Sequence, residues 1–554
     1  MTHKHTHGAP EQETNIVDTI QSLIVAFALA MSVRSFVTEG FVIPTGSMAP
    51  TLMGNHLRLT SPATGFTYPA DTGPAYEQRL RLGQNYRDFA RPEIDPMLSV
   101  DHPLATIGND EIIRQTRMGD RVLVLKYLYA FQEPKRWDVV VFKQPPDPCG
   151  PAANYIKRLV GLPQEQLLIL DGDIFTAPLG ADRSAFSIAR KPEHVQRAVW
   201  QEVHNSEYAP VDPTAVGKAW GRPWPGVPWE LTGFDAGARG NARAWRHDTD
   251  GPASLAWRWD LMPINDLASY NIWRDVPTSR RFPVSDVRVA LAIDADVPSH
   301  LSTTFTLESR KRAFVFSIAA GKASLRVERA REGATDSTDL LKEASVEFEA
   351  PSPSAPFEVE FWHVDQRLSI WVNDREVVDL EYAFDSLEDR LMASFNGRSL
   401  EDYLRTTQQP TPPALRLNFD GSPVTLQRVR VDRDLYYQPA TLRTDEAGQF
   451  SVNGAPIPGL GFGTDFQKPA QLQADQFMMC GDNSAASKDS RLWGKPSPLV
   501  EKIFGAEFGE NAPFVVPRAL LLGKAWCVYF PAPVSPTASL PKIMPDFGEL
   551  RFIR

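Results

Sequence analysis

Two stretches of the sequence carry residues that could do chemistry together. In Phe41-Val42-Ile43-Pro44-Thr45-Gly46-Ser47-Met48-Ala49-Pro50-Thr51-Leu52 one serine stands between a glycine and a methionine, and Pro44 and Pro50 limit the backbone on either side. Such a serine is a candidate nucleophile, but near neutral pH its hydroxyl is inert until a base takes the proton. Alone, the stretch reads equally well as a Pro/Gly turn with an incidental hydroxyl. The second stretch, Tyr155-Ile156-Lys157-Arg158-Leu159-Val160-Gly161-Leu162-Pro163, sets a lysine inside an apolar run. A lysine with an ordinary pKa of about 10.4 is protonated and useless as a base. Burial disfavours its charged form, and lowering the pKa by about 3 costs roughly 4 kcal/mol. The usual histidine base is missing, because His3, His5, His7, His56, His102, His194, His204, His247, His300 and His363 fall in the tail or in polar surroundings. Lys126 and Lys143 lie in less apolar settings than Lys157. The competing reading makes Lys157 and Arg158 a solvated strand edge. Ser47 and Lys157 are 110 positions apart, so their contact depends wholly on the fold.

Two further stretches follow in order: the polar cluster Gly481-Asp482-Asn483-Ser484-Ala485-Ala486-Ser487-Lys488-Asp489-Ser490-Arg491, and Gly523-Lys524-Ala525-Trp526. Behind an apolar N-terminal segment, the set resembles the bacterial type I signal peptidases, membrane-bound serine proteases that use a Ser-Lys dyad. The resemblance covers roughly residues 15–60, 118–175 and 470–532. It implies Ser47 as nucleophile and Lys157 as general base, with no metal and no cofactor. It implies an oxyanion hole formed by the Ser47 backbone N–H and the Thr45 hydroxyl, where many relatives carry serine. Ser487 would then orient the Lys157 amine, and Asp489 would pair with Arg491 to hold the turn; an Asx-type turn with no catalytic role is the other reading. Ile43, Pro44, Met48, Leu52, Tyr155 and Ile156 match family positions that line shallow apolar subsites. These suit cleavage after an A-x-A sequence, so the implied partners are the signal peptides of secretory preproteins. Two positions depart from the family: Trp137-Asp138 and Gln164-Glu165 stand where Gly-Asp is usual.

The elements that must position these residues begin with an apolar segment from Ile20 to Val33, interrupted by Gln21, Ser22 and Ser32. Extended back to Ile16 it includes Asp18, and it stays marginal against the roughly 20 residues that span a bilayer. A cleavable signal peptide competes, but no clear A-x-A follows and the cut would fall at the candidate site. The expectation is a disordered His-rich tail over 1–14 and an uncleaved transmembrane anchor over 15–37. Lys4, Glu11, Glu13 and Arg34 do not orient it. The resemblance implies a single pass in the cytoplasmic (inner) membrane with the catalytic domain on the outer, periplasmic side. The lipid bilayer would then be a partner, since holding enzyme and substrate on one surface raises their effective concentration.

Beyond the anchor the pattern is mainly β. Short β-branched runs at Arg121–Leu125, Asp138–Phe142, Tyr155–Val160 and Leu167–Leu170 predict an antiparallel catalytic domain whose first part is 38–175, with 54–117 an irregular insertion. Residues 176–281 form a Trp-rich insertion, and its tryptophans read as core filler ahead of a sugar-stacking surface. Alternation such as Val287-Val289-Leu291-Ile293 predicts an inserted β-sandwich over 282–437. It resembles a concanavalin- or laminin-G-type jelly roll, whose usual work is binding carbohydrate or protein. Residues 438–554 return to the catalytic domain. A net charge of −10 leaves no basic footprint, so nucleic acid is excluded as the main partner. Cys149, Cys480 and Cys527 make neither a disulfide framework nor a zinc site. The alternative to an enzyme is a membrane-anchored binding protein that uses the sandwich on an inactive protease scaffold.

Overall fold

Short β-branched runs fix the architecture, and strands dominate the computed structural model. It describes residues 16–71, 115–146, 154–210, 226–236, 243–267, 281–319, 321–330, 338–348, 356–399, 411–439, 459–493, 496–509, 514–534 and 543–554, with isolated pieces at 82, 93–98, 100–102, 212, 214, 270, 441–442, 451–452 and 455–456. The expected tail over 1–14 lies outside the described residues, as do Cys149, Trp220, Trp224 and Trp273.

The sheet expected to be catalytic is antiparallel. Its strands are β1 (Thr38–Val42), β2 (Arg121–Leu125), β3 (Val139–Lys143), β4 (Asn154–Gly161), β5 (Gln476–Cys480) and β6 (Leu521–Phe530), in the spatial order β1-β2-β6-β3-β4-β5. On β2, Val122 and Val124 face inward and Arg121, Leu123 and Leu125 are half-buried, the period-2 signature of a strand with one covered face. A smaller sheet of Glu165–Leu170, Asp173–Pro178, Ser187–Ile188 and Ala470–Leu472 packs beside it. The Ala470–Leu472 strand returns from the Gly/Pro/Gln-rich bridge to pair with Glu165–Leu167.

The β-sandwich has an eight-stranded and a seven-stranded sheet. Its core holds Val287, Val289, Leu291 and Ile293 on one sheet against Phe305, Phe314 and Phe316 on the other. Three of its hairpins turn through paired left-handed residues: Arg310-Lys311, Asp365-Gln366 and Asn373-Asp374, the geometry that matches strand twist. The sandwich starts earlier than the alternation predicts. Gln201–Asn205 and Trp245–His247 join the first sheet, and Trp229–Thr232 and Ala253–Trp257 join the second. Residues 176–281 therefore contribute strands to both sheets of the sandwich. Trp229, Trp245 and Trp257 are buried in the sandwich core. Within 54–117, His56–Thr60 and Thr67–Asp71 form a hairpin, so that stretch is not wholly irregular.

The sandwich and the smaller sheet share one core, since Leu168, Leu170 and Phe175 cluster with the sandwich residues. Around that core lies a buried ionic seam. Arg310 bridges Asp171 and Asp286 at 2.8 and 2.7 Å, Arg390 reaches Asp173 at 2.7 Å, and Lys191 joins Asp365 and Asp434 at 2.7 and 2.8 Å.

At the N-terminus, α1 (Ile16–Ser32) has 17 residues and is followed directly by a π-helical turn, Val33–Val37. No described helix is long and apolar enough to cross a membrane, so the expected transmembrane anchor is not met by a spanning helix.

Candidate active site

Gly46-Ser47-Met48 forms a short 3-10 turn that leaves β1 and is closed by the Ala49 N–H donating to the Gly46 carbonyl at 3.0 Å. The turn rests on a core of Ile43, Met48, Leu52, Val122, Val124, Val139, Val141 and Ile156. Because Ile43, Met48 and Leu52 are wholly inside that core, they offer no surface to a peptide in this state; of the expected subsite residues, Pro44 is exposed and Tyr155 half-buried. Thr45 is extended and exposed on the open side of the turn.

Lys157 lies on β4 between β3 and β5, in the middle of the catalytic sheet. The edge reading fails there, because Lys157 is 3% and Arg158 0% exposed. The Lys157 Nζ is 2.6 Å from the Ser47 Oγ and 3.0 Å from the Ile156 carbonyl, and 5.2 Å from the centre of the Tyr155 ring. Burial pulls its pKa down to about 8, against the opposing pull of Asp489 and Asp482.

The polar cluster supports this pair from β5. The Asn483 side chain donates to the Gly46 carbonyl at 2.8 Å, and the Asn483 N–H donates to the Ser47 carbonyl at 3.1 Å. A Cβ on Gly481 would lie 2.4 Å from the Ser47 carbonyl oxygen, so only glycine permits this approach. Asp489 takes both Nε and Nη2 of Arg491, at 2.9 and 2.8 Å, and accepts the Gly481 N–H at 2.9 Å. Burial alone would raise the Asp489 pKa, but Arg491 outweighs it and holds the carboxyl ionised. Ser487 does not bond the Lys157 amine. Its buried hydroxyl makes no well-formed hydrogen bond among the described residues, though it lies close enough to Asp489 to favour the anion.

Residues without an expected role also shape the site. Arg158 grips Asp482 at 2.8 and 2.6 Å, and Thr51 donates to the same carboxylate at 2.6 Å. Lys524, in the fourth motif, pairs with Asp138 at 2.6 Å. The signal for Arg158 and Asp482 is adjacency to Lys157 and to Gly481; nothing in the sequence pairs them. Trp137 and Gln164, the two departures from Gly-Asp, both have left-handed backbones, with φ of 76° and 64°.

Residues 109–185, which carry β2, β3, β4 and Lys157, match the family model described as signal peptidase, peptidase S26. This part of the chain is similar to that family. A Rickettsia massiliae signal peptidase I is 23% identical over 154 residues, 28% of this chain. The match spans 40% of that relative's length. The chain is similar to a Bacillus subtilis carbohydrate-binding module at 11% identity, over 37% of this chain and 95% of that one, with a TM-score of 0.21. Sheep galectin-11 is similar at 14% identity, over 28% of this chain and 98% of that one, with a TM-score of 0.17. Likenesses this distant carry no functional conclusion. Ser47 and the 481–491 cluster lie outside the signal peptidase match.

Proposed function

We propose that this protein is a serine endopeptidase that removes signal peptides from exported preproteins, cutting after small residues of an A-x-A site. The observation that carries the reading is the 2.6 Å approach of a buried amine to the Ser47 hydroxyl, with the amine's pKa brought to about 8. At that pKa about one amine in ten is neutral at pH 7. The neutral Lys157 takes the proton as Oγ attacks the scissile carbonyl, and the resulting ammonium gives it to the departing amine. The same amine then deprotonates the water that hydrolyses the acyl-serine. The Ser47 N–H and the Thr45 hydroxyl stabilise the oxyanion, and Pro44, Thr45 and Tyr155 border the bound peptide.

A membrane location is part of the proposal, and exposed apolar surface supports it. Ile20, Leu23, Ile24, Val25, Phe27 and Leu29 of α1 are all exposed, as are Trp526 and Tyr529 on β6 and Phe552 on the short strand that pairs with it. This supports apposition to lipid; the cytoplasmic membrane and a catalytic domain on its outer side are proposed from the resemblance to signal peptidases. For the sandwich, a carbohydrate or protein ligand is the accompanying proposal. Ser47→Ala and Lys157→Ala, each assayed on a preprotein with an A-x-A site, test the reaction: both are expected to abolish cleavage, and unchanged cleavage in either rejects the dyad. Co-sedimentation of the full chain with lipid vesicles, and its loss on removing residues 1–37, tests the membrane apposition.

A further inference from the structure

The inserted region reaches the nucleophile turn. Tyr270 is 1% exposed, and its ring packs against Gly46. A Cβ on Gly46 would sit 1.9 Å from Tyr270 Cε1 and 2.5 Å from Cζ, so the ring occupies the space a side chain would need. The third-closest atom to that Cβ is the Tyr270 hydroxyl, at 2.6 Å. The Tyr270 hydroxyl donates to the Asn55 carbonyl at 3.2 Å, and the ring stands 6.4 Å from that of His56. The neighbouring Gly54 packs as closely on the turn, since its Cβ would meet the Thr45 carbonyl carbon at 2.2 Å. One tyrosine therefore bridges the chain before the nucleophile and the chain after it.

The turn is gripped from the opposite side as well. Asn483 bonds the Gly46 and Ser47 carbonyls, and the cluster that carries Asn483 is tied to the sandwich exit. There the Gln438 N–H donates to Ser484 Oγ at 2.7 Å, and the Gln438 carbonyl accepts Arg491 Nη1 at 2.8 Å. Glycine gives the turn no side chain of its own to fix it. Its position must come from what is packed on it.

We propose that Tyr270 is a positioning residue: by filling the space over Gly46 it holds the Ser47 hydroxyl at the Lys157 amine, so the inserted region completes the active site. The proposal rests on the Ser47–Lys157 reading above. A displacement of about 1 Å at a reacting group costs about a hundredfold in rate, and a ring that sets the turn acts on turnover more than on substrate binding.

The test uses the full-length protein and a preprotein-derived peptide with an A-x-A site, and measures kcat and KM separately. Tyr270→Ala is expected to lower kcat by about tenfold or more with KM within about threefold, and Tyr270→Phe to recover most of that loss. Gly46→Ala in the natural background is expected to cost about tenfold, and in the Tyr270→Ala background less than about threefold, because the clash has gone. The proposal is overturned if kcat of Tyr270→Ala stays within about twofold of wild type, if phenylalanine restores nothing, or if Gly46→Ala costs the same in both backgrounds. Should Tyr270→Ala not fold, Tyr270→Leu carries the same comparison with less lost volume. A wild-type protein that leaves the peptide intact overturns the Ser47–Lys157 reading itself, so the two failures are told apart.

Discussion

Arg158 holds both carboxylate oxygens of Asp482, at 2.8 and 2.6 Å, with neither side chain exposed to solvent. The same carboxylate accepts the Thr51 hydroxyl, four residues past Ser47. The strand that carries the lysine and the turn that carries the serine thus share one anionic anchor. Breaking a buried pair by removing one partner costs about 3–5 kcal/mol, because the other charge is stranded. Asp482→Ala is expected to lower the free energy of unfolding by about that much, measured by chemical denaturation. Asp482→Asn, which keeps an acceptor for Thr51, is expected to lose less.

The buried amine ties activity to pH in a definite direction. With the Lys157 pKa at about 8, kcat/KM is expected to rise as pH increases towards 8 and to level off above it. A lysine whose folded pKa lies below its ordinary value makes the protein less stable wherever the unfolded chain is protonated and the folded one resists. That penalty is absent above about pH 10.5 and complete below about pH 8. Lys157→Met is therefore expected to raise unfolding stability at pH 7 by up to about 3 kcal/mol while abolishing cleavage. Denaturation curves at pH 7 and pH 11 check this, since the gain is expected at the first and not at the second.

Acid acts through histidines. Burial lowers the pKa of His56 to about 4, of His204 to about 3 and of His363 to about 4. Each favours the fold fully above its ordinary value of 6.5, and the contribution is lost as pH falls towards the folded value, at about 3 kcal/mol apiece by pH 4. The sandwich is expected to unfold between pH 6 and 4, read from the fluorescence of its buried tryptophans. His204→Phe, beside the Trp257 ring, is expected to move the midpoint to lower pH.

The two left-handed departures separate backbone strain from packing. A left-handed residue with a side chain costs about 1–2 kcal/mol that glycine avoids. Gln164 is exposed, so Gln164→Gly is expected to stabilise the protein by about 1 kcal/mol. Trp137 is 4% exposed, donates its ring N–H to the Arg190 carbonyl at 3.1 Å and lies 5.2 Å under the Lys191 amine. Losing a buried indole costs about 3–5 kcal/mol, so Trp137→Gly is expected to destabilise by about 2 kcal/mol despite the relaxed backbone. Thermal or denaturant unfolding of the two variants checks the opposite signs.

How far the sequence reveals this arrangement depends on the length scale of each signal. The alternation from Val287 to Ile293 is local, and it marks a strand whose inward residues are all buried. The strand Thr338–Glu347 gives no such signal, because its side chains from Asp339 to Glu347 are exposed or half-buried at the margin of the second sheet. Trp245 and Trp257 sit on three- and five-residue strands amid Pro and Gly, too short for a period to show, so sandwich strands read as filler. In the site, Lys157 stands out because its flanking residues are apolar. Met48 and Leu52 are apolar in the same way, and sequence alone does not tell a residue beneath a turn from one lining a subsite. Tyr270 carries no signal at all, since it meets Asn55 across 215 positions of chain.

The Asn483 side chain closes on the Gly46 carbonyl across 437 positions. At about 5–20 residues per second of synthesis, roughly 20–90 s separate the emergence of the serine from that of the turn which secures it. A nascent chain therefore carries Ser47 without its supporting turn through most of translation, and the proposed proteolytic competence arrives only when late-made polypeptide docks onto early-made polypeptide.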